Sequence, residues 1–323
     1  MRILGWIAVS AFVAAMVSAQ PPQGPGGRGP QSENLRAAQQ AIRDGKDADA
    51  LAAVRKELAA NPASMGSASL LDTLGQTGEA KKVYQRAIEG AADPAAKANA
   101  QRSLAMSYAF DGDCRNTIKF EQMVIDYWVT REAAEPQNAF YQEGEMANEA
   151  ARVCIDAGDL ESAETWYRKG TEMGVKEPGN QTHPKSLWEF RLQHGLARIA
   201  ARRGNKAEAE KLVASARKIL DGDATTAAQQ ERFYPYLTGY VALYTGDFAK
   251  AEAELTKALA AQGNQNDPFY HCLLGMAVER QGQKDRALET YRKAYSLALA
   301  HNPPAAFARP FARKKLAMLE GKP

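Results

Sequence analysis

The segment from Leu274 to Ala294 reads LGMAVERQGQKDRALETYRKA, and its spacing of small residues decides the fold. Gly275 lies seven residues before the central Gly282. Ala287 and Tyr291 follow that glycine by five and nine residues. Glycine tolerates the positive φ at which one helix ends and the chain turns back, and small residues on both sides let two helices approach closely. The segment therefore predicts a pair of antiparallel helices joined at Gly282.

The same arrangement occurs seven times between about residues 34 and 300. A small residue precedes each central glycine by seven positions, and an alanine follows it by five positions in six of the seven copies. With 61 alanines among 323 residues, composition alone would place only about one alanine in those seven positions. The copies therefore form a repeat, and its glycines are called the anchor glycines below. They are Gly45, Gly75, Gly112, Gly158, Gly204, Gly246 and Gly282.

Length and composition are compatible with such a repeat array. A chain of 323 residues can form one large domain, two ordinary domains or a repeat array. One helical hairpin cannot bury its apolar face alone, whereas seven stacked hairpins share a continuous core, which favours a solenoid. The formal net charge of +3 is too close to zero to indicate a nucleic-acid partner.

The best copies resemble the tetratricopeptide repeat (TPR). In residues 274–294 a Leu-Gly pair, a turn glycine, a small residue, an aromatic residue and an alanine have the separations of that family's signature. A second copy reads GEAKKVYQRAI from Gly78 to Ile88. The resemblance implies an all-α, right-handed α-solenoid of about seven TPR-like hairpins over residues 34–302. A C-terminal capping helix and tail are expected over residues 303–323.

The intervals between anchor glycines range from 30 to 46 residues, compared with about 34 in the family. The long middle intervals indicate extended helices or inserted loops near Asp126–Tyr141 and near Glu172–Ser186. The second region contains Pro178 and Pro184 and is expected to be a loop.

Two further features depart from the family pattern. The third repeat is the weakest copy, because Thr117 and Glu121 occupy positions that are alanine and a large apolar residue elsewhere. Pro310 is expected to interrupt the C-terminal capping helix, since a proline ring does not fit inside a regular helix.

The N-terminus has the pattern of a secretory signal peptide. Arg2 is followed by a largely apolar stretch over residues 3–17 and by a small-residue cleavage site that ends at Ala19. The alternative is an uncleaved membrane anchor, but a spanning helix needs about 20 apolar residues. We expect a signal peptide over residues 1–19, a Pro/Gly-rich flexible linker over residues 20–33, and an exported protein, periplasmic or secreted, with no stable membrane insertion after cleavage.

The three cysteines were considered in view of this export. Cys114 follows the anchor glycine of the third repeat and Cys154 precedes that of the fourth, so both lie at the same end of neighbouring hairpins. This placement predicts a disulfide between them, which oxidising compartments favour. The alternative is that both are buried and unbonded. Cys272 remains unpaired and is expected to be packed in the core.

The motifs of common catalytic sites are missing from the sequence. The four histidines do not form the His-Glu-x-x-His pattern of a zinc protease, and the sequence contains neither a Cys-x-x-Cys pair nor a P-loop. We therefore expect no metal site, no cofactor and no enzymatic activity.

In this family the first helix of each hairpin lines a concave face, on which partners bind. Aromatic and basic residues recur on these helices in the fifth to seventh repeats, and such side chains suit stacking and contacts with carboxylates. The alternative is that many of them pack between repeats. The residues of this predicted groove are Arg191, His194, Arg198, Arg202, Phe233, Tyr236, Tyr240, Tyr244, Phe269, Met276 and Arg280.

These features favour an interaction scaffold that binds a polypeptide partner of unknown identity in the cell envelope or outside the cell. A glycan- or peptidoglycan-associated envelope protein is the alternative, because the same aromatic residues would stack on sugars. An enzyme whose site is assembled across repeats is a third hypothesis. Resemblance in fold does not identify the partner.

Overall fold

The structure is a computed structural model that describes residues 32–179 and 183–321, and the regular elements within them are all helical. Fourteen helices form seven antiparallel hairpins, and each hairpin turns at an anchor glycine with φ between 68° and 89°. The predicted all-α solenoid of about seven hairpins is confirmed. The helices are α1 (Glu33–Arg43) with α2 (Asp47–Ala60), α3 (Met65–Thr73) with α4 (Thr77–Glu89), α5 (Pro94–Phe110) with α6 (Cys114–Val129), α7 (Pro136–Ala157) with α8 (Leu160–Gly174), α9 (Lys185–Arg202) with α10 (Lys206–Gly222), the connecting helix α11 (Ala224–Gln230), α12 (Tyr234–Tyr244) with α13 (Phe248–Ala260), and α14 (Pro268–Arg280) with α15 (Lys284–Leu297).

A polar residue directly after the anchor glycine starts the second helix in four hairpins. Its side chain accepts a hydrogen bond from the backbone N–H three residues later, which satisfies one of the free donors at the helix start. The glycine ends one helix and its neighbour begins the next, so the turn is encoded locally. These capping residues are Asp113, Asp159, Asn205 and Asp247.

The small residue before each turn allows close contact between helices. A Cβ atom on Gly275 would lie 2.6 Å from Cε1 of Tyr291, on the second helix of the same hairpin. Tyr167 fills the corresponding space toward the next hairpin, where a Cβ atom on Gly195 would lie 2.8 Å from its ring. The small and large residues of the repeat are therefore packing partners.

The long intervals between anchor glycines have three structural causes. Helix α7 is extended to 22 residues. The described part of residues 175–184 contains no regular helix and connects α8 with α9, as expected from its prolines. Helix α11 and the short 3-10 turn Glu231–Phe233 lie between the fifth and sixth hairpins and were not expected from the sequence.

The C-terminal helix α16 (Pro303–Glu320) runs through Pro310 without a break, so the expected interruption is wrong. Proline has no N–H to donate, and the Ala306 carbonyl loses its usual helical partner. The buried face of α16, which includes Ala308 and Ala312, packs against α5, α7, α14 and α15. Burial of this face offsets the lost hydrogen bond.

The disulfide expected between Cys114 and Cys154 is present and joins the start of α6 to α7, with a Cα–Cα distance of 4.8 Å. Cys272 carries a free thiol and is fully buried. Burial raises the pKa of this thiol well above its ordinary value. Cys272 therefore acts as a packed apolar residue.

The predicted signal peptide and the linker up to residue 31 lie outside the described residues. Helix α1 begins at Glu33, one residue before the expected start of the solenoid, and the Ser32 hydroxyl caps it. In the described part of the chain, no helix is both long and apolar enough to cross a membrane.

Candidate functional site

The first helices of the hairpins lie side by side and form one surface, called the first-helix face below. Direct contacts join α7 with α9, α9 with α12, and α12 with α14. The predicted groove residues lie on α9, α12 and α14, except for Phe233, which lies in the short turn before α12. The fold therefore brings neighbouring parts of the predicted groove together on one face.

Four of the predicted groove residues lie in the interior. Tyr240 and Phe269 have no exposed surface, and Arg198 and Tyr236 expose only 2% and 4% of theirs. The expectation that these four side chains line an open groove is therefore wrong. The first helices approach closely enough to enclose them, and Phe307 of α16 covers Phe269 with ring centroids 5.0 Å apart.

Arg198 is the centre of a buried hydrogen-bond network. Its guanidinium donates to the hydroxyls of Tyr236 and Tyr167 and lies 5.4 Å from the ring centroid of Tyr240. Burial raises the pKa of Tyr240 well above its ordinary value, which keeps this hydroxyl neutral. Arginine and tyrosine thus connect α8, α9 and α12 inside the solenoid.

Arg202 and Tyr244 lie at the half-buried edge of this network. Arg202 Nη1 lies 3.5 Å from the Tyr240 hydroxyl oxygen and 3.4 Å from that of Tyr244. Its guanidinium also lies 4.8 Å from the Tyr244 ring centroid. Both side chains keep part of their surface exposed, and their positions are set by contacts with the interior.

Asp156, at the end of α7, was missed by the sequence analysis. Burial raises the pKa of its carboxyl to about 6, although Arg152, Arg198 and Arg202 act in the opposite direction. Arg152 lies one helical turn before Asp156 in α7, but Arg198 and Arg202 come from α9. Only the packing of α7 against α9 brings Asp156 close to Arg198 and Arg202.

Charged pairs join neighbouring first helices next to this cluster. Arg191 of α9 pairs with Glu145 of α7, and its guanidinium lies 4.9 Å from the Trp188 ring centroid. Arg102 of α5 pairs with Glu149 of α7 at 2.6 Å. Arg191 is therefore a half-buried bridge between helices.

His194 is a further half-buried residue of α9, and its ring lies 5.1 Å from the Tyr236 ring. Burial lowers the pKa of His194 well below its ordinary value, and Arg198 and Arg152 contribute in the same direction. The imidazole is therefore neutral at physiological pH.

The remaining three predicted residues lie toward the edges. Phe233 is half-buried beneath the Arg232 guanidinium, which is 4.6 Å from its ring centroid. Met276 packs half-buried against the core. Arg280 is exposed and lies 4.8 Å from the ring centroid of Phe248, on the second helix α13. The structure does not bring Arg280 to the arginine–tyrosine network.

A cleft of about 420 Å³ lies between α16 and the ends of α5 and α7. Its walls include Phe110 and Phe311, and they also include the charged residues Asp156 and Lys314. From the sequence, α16 was expected only to cap the array. Its phenylalanines at positions 307 and 311, one helical turn apart, were the available signal for a packing face.

The described residues contain no group of three histidine, cysteine, aspartate or glutamate side chains that could hold a metal ion. The cleft offers the rings of Phe110 and Phe311 for stacking, the carboxyl group of Asp156 and the ammonium group of Lys314. Arg202, near Asp156, adds a further hydrogen-bond donor. These groups can bind another molecule through apolar contact and charged hydrogen bonds.

Comparison with known proteins identifies a known repeat in two segments of the sequence. Tetratricopeptide repeat models match residues 63–93, which contain α3 and α4, and residues 236–305, which begin inside α12 and include α13, α14 and α15. No curated protein matches the sequence.

Two solved structures are similar over most of their length. A tetratricopeptide repeat protein from Parabacteroides merdae is 16% identical, with 89% of this chain and 98% of that chain covered and a TM-score of 0.45. The TPR domain of P58(IPK) is 15% identical, with 88% of each chain covered and a TM-score of 0.32. The family models, which match separate hairpins of the same array, carry the conclusion: the chain contains tetratricopeptide repeats.

Proposed function

We propose that this protein is an exported, non-catalytic scaffold that binds a polypeptide partner on its first-helix face. The repeat family supports the general part of this proposal, since tetratricopeptide repeats are typical of protein–protein interaction scaffolds and their fold is generally non-catalytic. Features of this chain itself support the location and the binding face.

The observation that carries the proposal is the cleft beside α16. Apolar rings of Phe110 and Phe311 lie there next to the charged side chains of Asp156 and Lys314. Arg202 belongs to the charged surroundings of Asp156 and is half-buried. A concave surface with apolar walls and a few polar groups is typical of sites that bind side chains of another molecule.

Two observations support export. Residues 1–19 have the charge, apolar length and small-residue end of a signal peptide. The Cys114–Cys154 disulfide is a bond that persists in oxidising compartments. Mass spectrometry of the N-terminus from the native source is expected to find a chain that starts at Gln20, and an intact Met1 terminus would contradict the cleavage.

The binding face is tested by changing its accessible edge. The double variant Arg202→Glu, Tyr244→Phe is expected to reduce capture of partners from envelope extract at least about tenfold, because it reverses a charge and removes a hydroxyl. Arg203→Glu is the matched control, since Arg203 is exposed and pairs with Glu164 instead. Capture is measured by quantitative mass spectrometry with the wild-type chain as reference. Equal capture by both variants and wild type would contradict the assignment of this face.

The structure also bears on the glycan alternative. Tyr236, Tyr240 and Phe269, which would have stacked on sugars, are buried. This burial removes them from contact with either a sugar or a peptide. Sedimentation with purified cell-wall material is expected to leave the protein in the supernatant, whereas pelleting would favour the glycan-associated protein.

A further inference from the structure

Arg152 of α7 is a half-buried arginine whose guanidinium lies over the Phe269 ring, 4.9 Å from the ring centroid. In the described part of the chain its Nε atom is enclosed without a hydrogen-bond acceptor, and its terminal nitrogens form no hydrogen bond or ion pair. A guanidinium that lies against an aromatic ring keeps the N–H groups in its own plane free for an acceptor. Arg152 therefore retains its capacity to donate.

His194 of α9 likewise has no hydrogen-bond partner. Its Nε2 atom is enclosed, and neither ring nitrogen is bonded to another of the residues that the structure describes. The ring lies near Arg152, because α7 contacts α9 and the Arg152 charge contributes to the lowered pKa of His194. Polar groups inside a protein are normally hydrogen-bonded, and leaving them unbonded costs free energy. Two neighbouring first helices thus carry polar groups whose hydrogen bonds the described chain does not supply.

The charges around these two residues leave an excess of positive charge. Arg198 and Arg202 lie close enough to act on the same carboxyl group, that of Asp156, as Arg152 does. Asp267 also acts on Arg152, but its carboxylate already accepts hydrogen bonds from two backbone N–H groups at the start of α14. Three arginines are therefore accompanied by two carboxyl groups, and none of the three forms an ion pair with a described carboxylate. Because buried charges are normally paired, one further anion would complete the cluster.

We propose that Arg152 and His194 bind the side-chain carboxylate of a glutamate in the polypeptide partner, while α16 keeps its place. A carboxylate accepts two N–H groups from one guanidinium and supplies a single negative charge, which matches the excess of one positive charge. Both receptor side chains are half-buried, so the carboxylate reaches them on a flexible side chain while the partner's backbone stays at the rim. The inference rests on the proposed scaffold function and names the group that the first-helix face recognises.

The probes are three small molecules. N-acetylglutamic acid α-amide carries only a side-chain carboxylate, N-acetylglutamine α-amide is its neutral isostere, and N-acetylglycine carries the carboxylate of a chain terminus. Each is titrated into the wild-type chain at constant ionic strength, and the Arg152 Nε–H signal is followed by proton–nitrogen NMR. The glutamate probe is expected to shift this signal with a dissociation constant on the order of 10 mM, and the other two to bind at least about tenfold more weakly.

Variants of the charged cluster test the location, with the His194 ring signals as the readout. Arg152→Gln is expected to weaken binding of the glutamate probe at least about tenfold. Asp156→Asn is expected to strengthen it about threefold, because it removes a neighbouring negative charge. Arg203→Gln is the matched control, since Arg203 is exposed and pairs with Glu164. Circular dichroism verifies that each variant folds, and Arg152→Lys, which keeps the charge without the planar donors, replaces Arg152→Gln if that chain does not fold.

The proposal is overturned if the glutamate and glutamine probes shift the Arg152 signal equally, if neither shifts it at about 100 mM, or if the Arg152 variant binds the glutamate probe as wild type does. Tighter binding of N-acetylglycine would assign the site to a chain terminus and overturn the assignment to a side chain. The capture assay with Arg202→Glu, Tyr244→Phe tests the scaffold independently. Loss of capture there, without probe binding at Arg152, would keep the scaffold and reject the glutamate site.

Discussion

The carboxyl group of Glu121 lies in the interior of the third hairpin. The side chain has no exposed surface, and among the described residues neither carboxylate oxygen has a hydrogen-bond partner. Burial raises the pKa of Glu121 well above its ordinary value, and the nearby Glu149 adds to this effect while Arg102 opposes it. The protonated carboxyl is therefore the form that fits the fold.

Glu121→Gln is expected to change the pH dependence of stability. Because the pKa of Glu121 is higher in the folded than in the unfolded state, the protonated carboxyl stabilises the fold fully below its unfolded pKa of about 4.3. This stabilisation is lost as the pH rises through the pKa of the folded state. Glutamine is uncharged at every pH, so the variant is expected to gain about 1–3 kcal/mol of unfolding free energy relative to wild type between about pH 5 and pH 8.

Urea unfolding at both pH values measures this difference. Glu289→Gln is the control, because Glu289 lies exposed on α15 and its neutralisation is expected to have the same small effect at both pH values. If the unfolding free energies of wild type and Glu121→Gln changed equally between the two pH values, Glu121 would have an ordinary pKa in the folded chain.

At the scale of elements, the hairpin is held by a small residue on one helix that faces a large residue on the other. Gly275 and Tyr291 form the tightest example in the segment that best represents the repeat, and Gly239 faces Leu255 in the hairpin before it. These contacts bring the helix backbones close together. Many alanines therefore occupy positions where two helices touch, in addition to favouring helix formation.

Gly275→Ala is expected to destabilise the chain by about 1–3 kcal/mol, because overpacking forces the Tyr291 ring to move. The added Cβ atom would lie 2.6 Å from Cε1 of that ring. Gly78→Ala is the matched control, since Gly78 lies in helix α4 with nothing within 4 Å of its Cβ position. It is expected to be neutral or stabilising by up to about 1 kcal/mol. Thermal unfolding of both variants decides the point, and equal shifts would refute the close-approach explanation.

At the scale of the whole molecule, the segment around α16 ties the end of the solenoid to its beginning. His301 Nε2 lies 2.8 Å from a carboxylate oxygen of Asp72, whose other oxygen accepts a hydrogen bond from Ser107 at 2.7 Å. The Phe110 ring stacks on His301, with centroids 5.6 Å apart. Residues more than 200 positions apart thus share one polar cluster, and the solenoid is closed rather than open-ended.

His301→Ala is expected to destabilise the protein by about 1–3 kcal/mol, since it removes the imidazole that lies within hydrogen-bond distance of both the buried Asp72 and the Tyr84 hydroxyl. Hydrogen–deuterium exchange is expected to increase in both α3 and α16, because the cluster couples them. His271→Ala is the control, as the His271 ring bonds to the nearby Gln265 carbonyl and its loss is expected to act locally. Faster exchange in α16 alone would show that the two ends are not coupled.

The number of hairpins and their helical type could be predicted because the signals are local. Each anchor glycine and its capping residue specify a turn within a few positions, and the small residues repeat at fixed separations. The Cys114–Cys154 pairing could be predicted for the same reason, since both cysteines lie near anchor glycines of adjacent hairpins. Helix α11 was missed because it lies in a connection to which the repeat pattern does not extend.

The candidate site was predicted less well. Helical periodicity places Arg198 and Tyr240 on the first helices, but it does not distinguish a side chain that faces a neighbouring helix from one that faces solvent. Asp156 has only Arg152 as a local signal, because Arg198 and Arg202 come from α9. Pro310 was expected to break α16, yet the buried face of that helix outweighs one lost hydrogen bond.

The sequence by itself determined the hairpins, their number and order, and which residues pack within each one, because helix ends and close helix contacts depend on neighbours a few residues away. Only the tertiary structure decided which polar residues are buried, where the cleft lies and that α16 covers the first-helix face. Those properties depend on how seven hairpins of unequal length curve together, and this curvature brings residue 301 to residue 72. The surface open to a partner is therefore a property of the closed array, which no single repeat encodes.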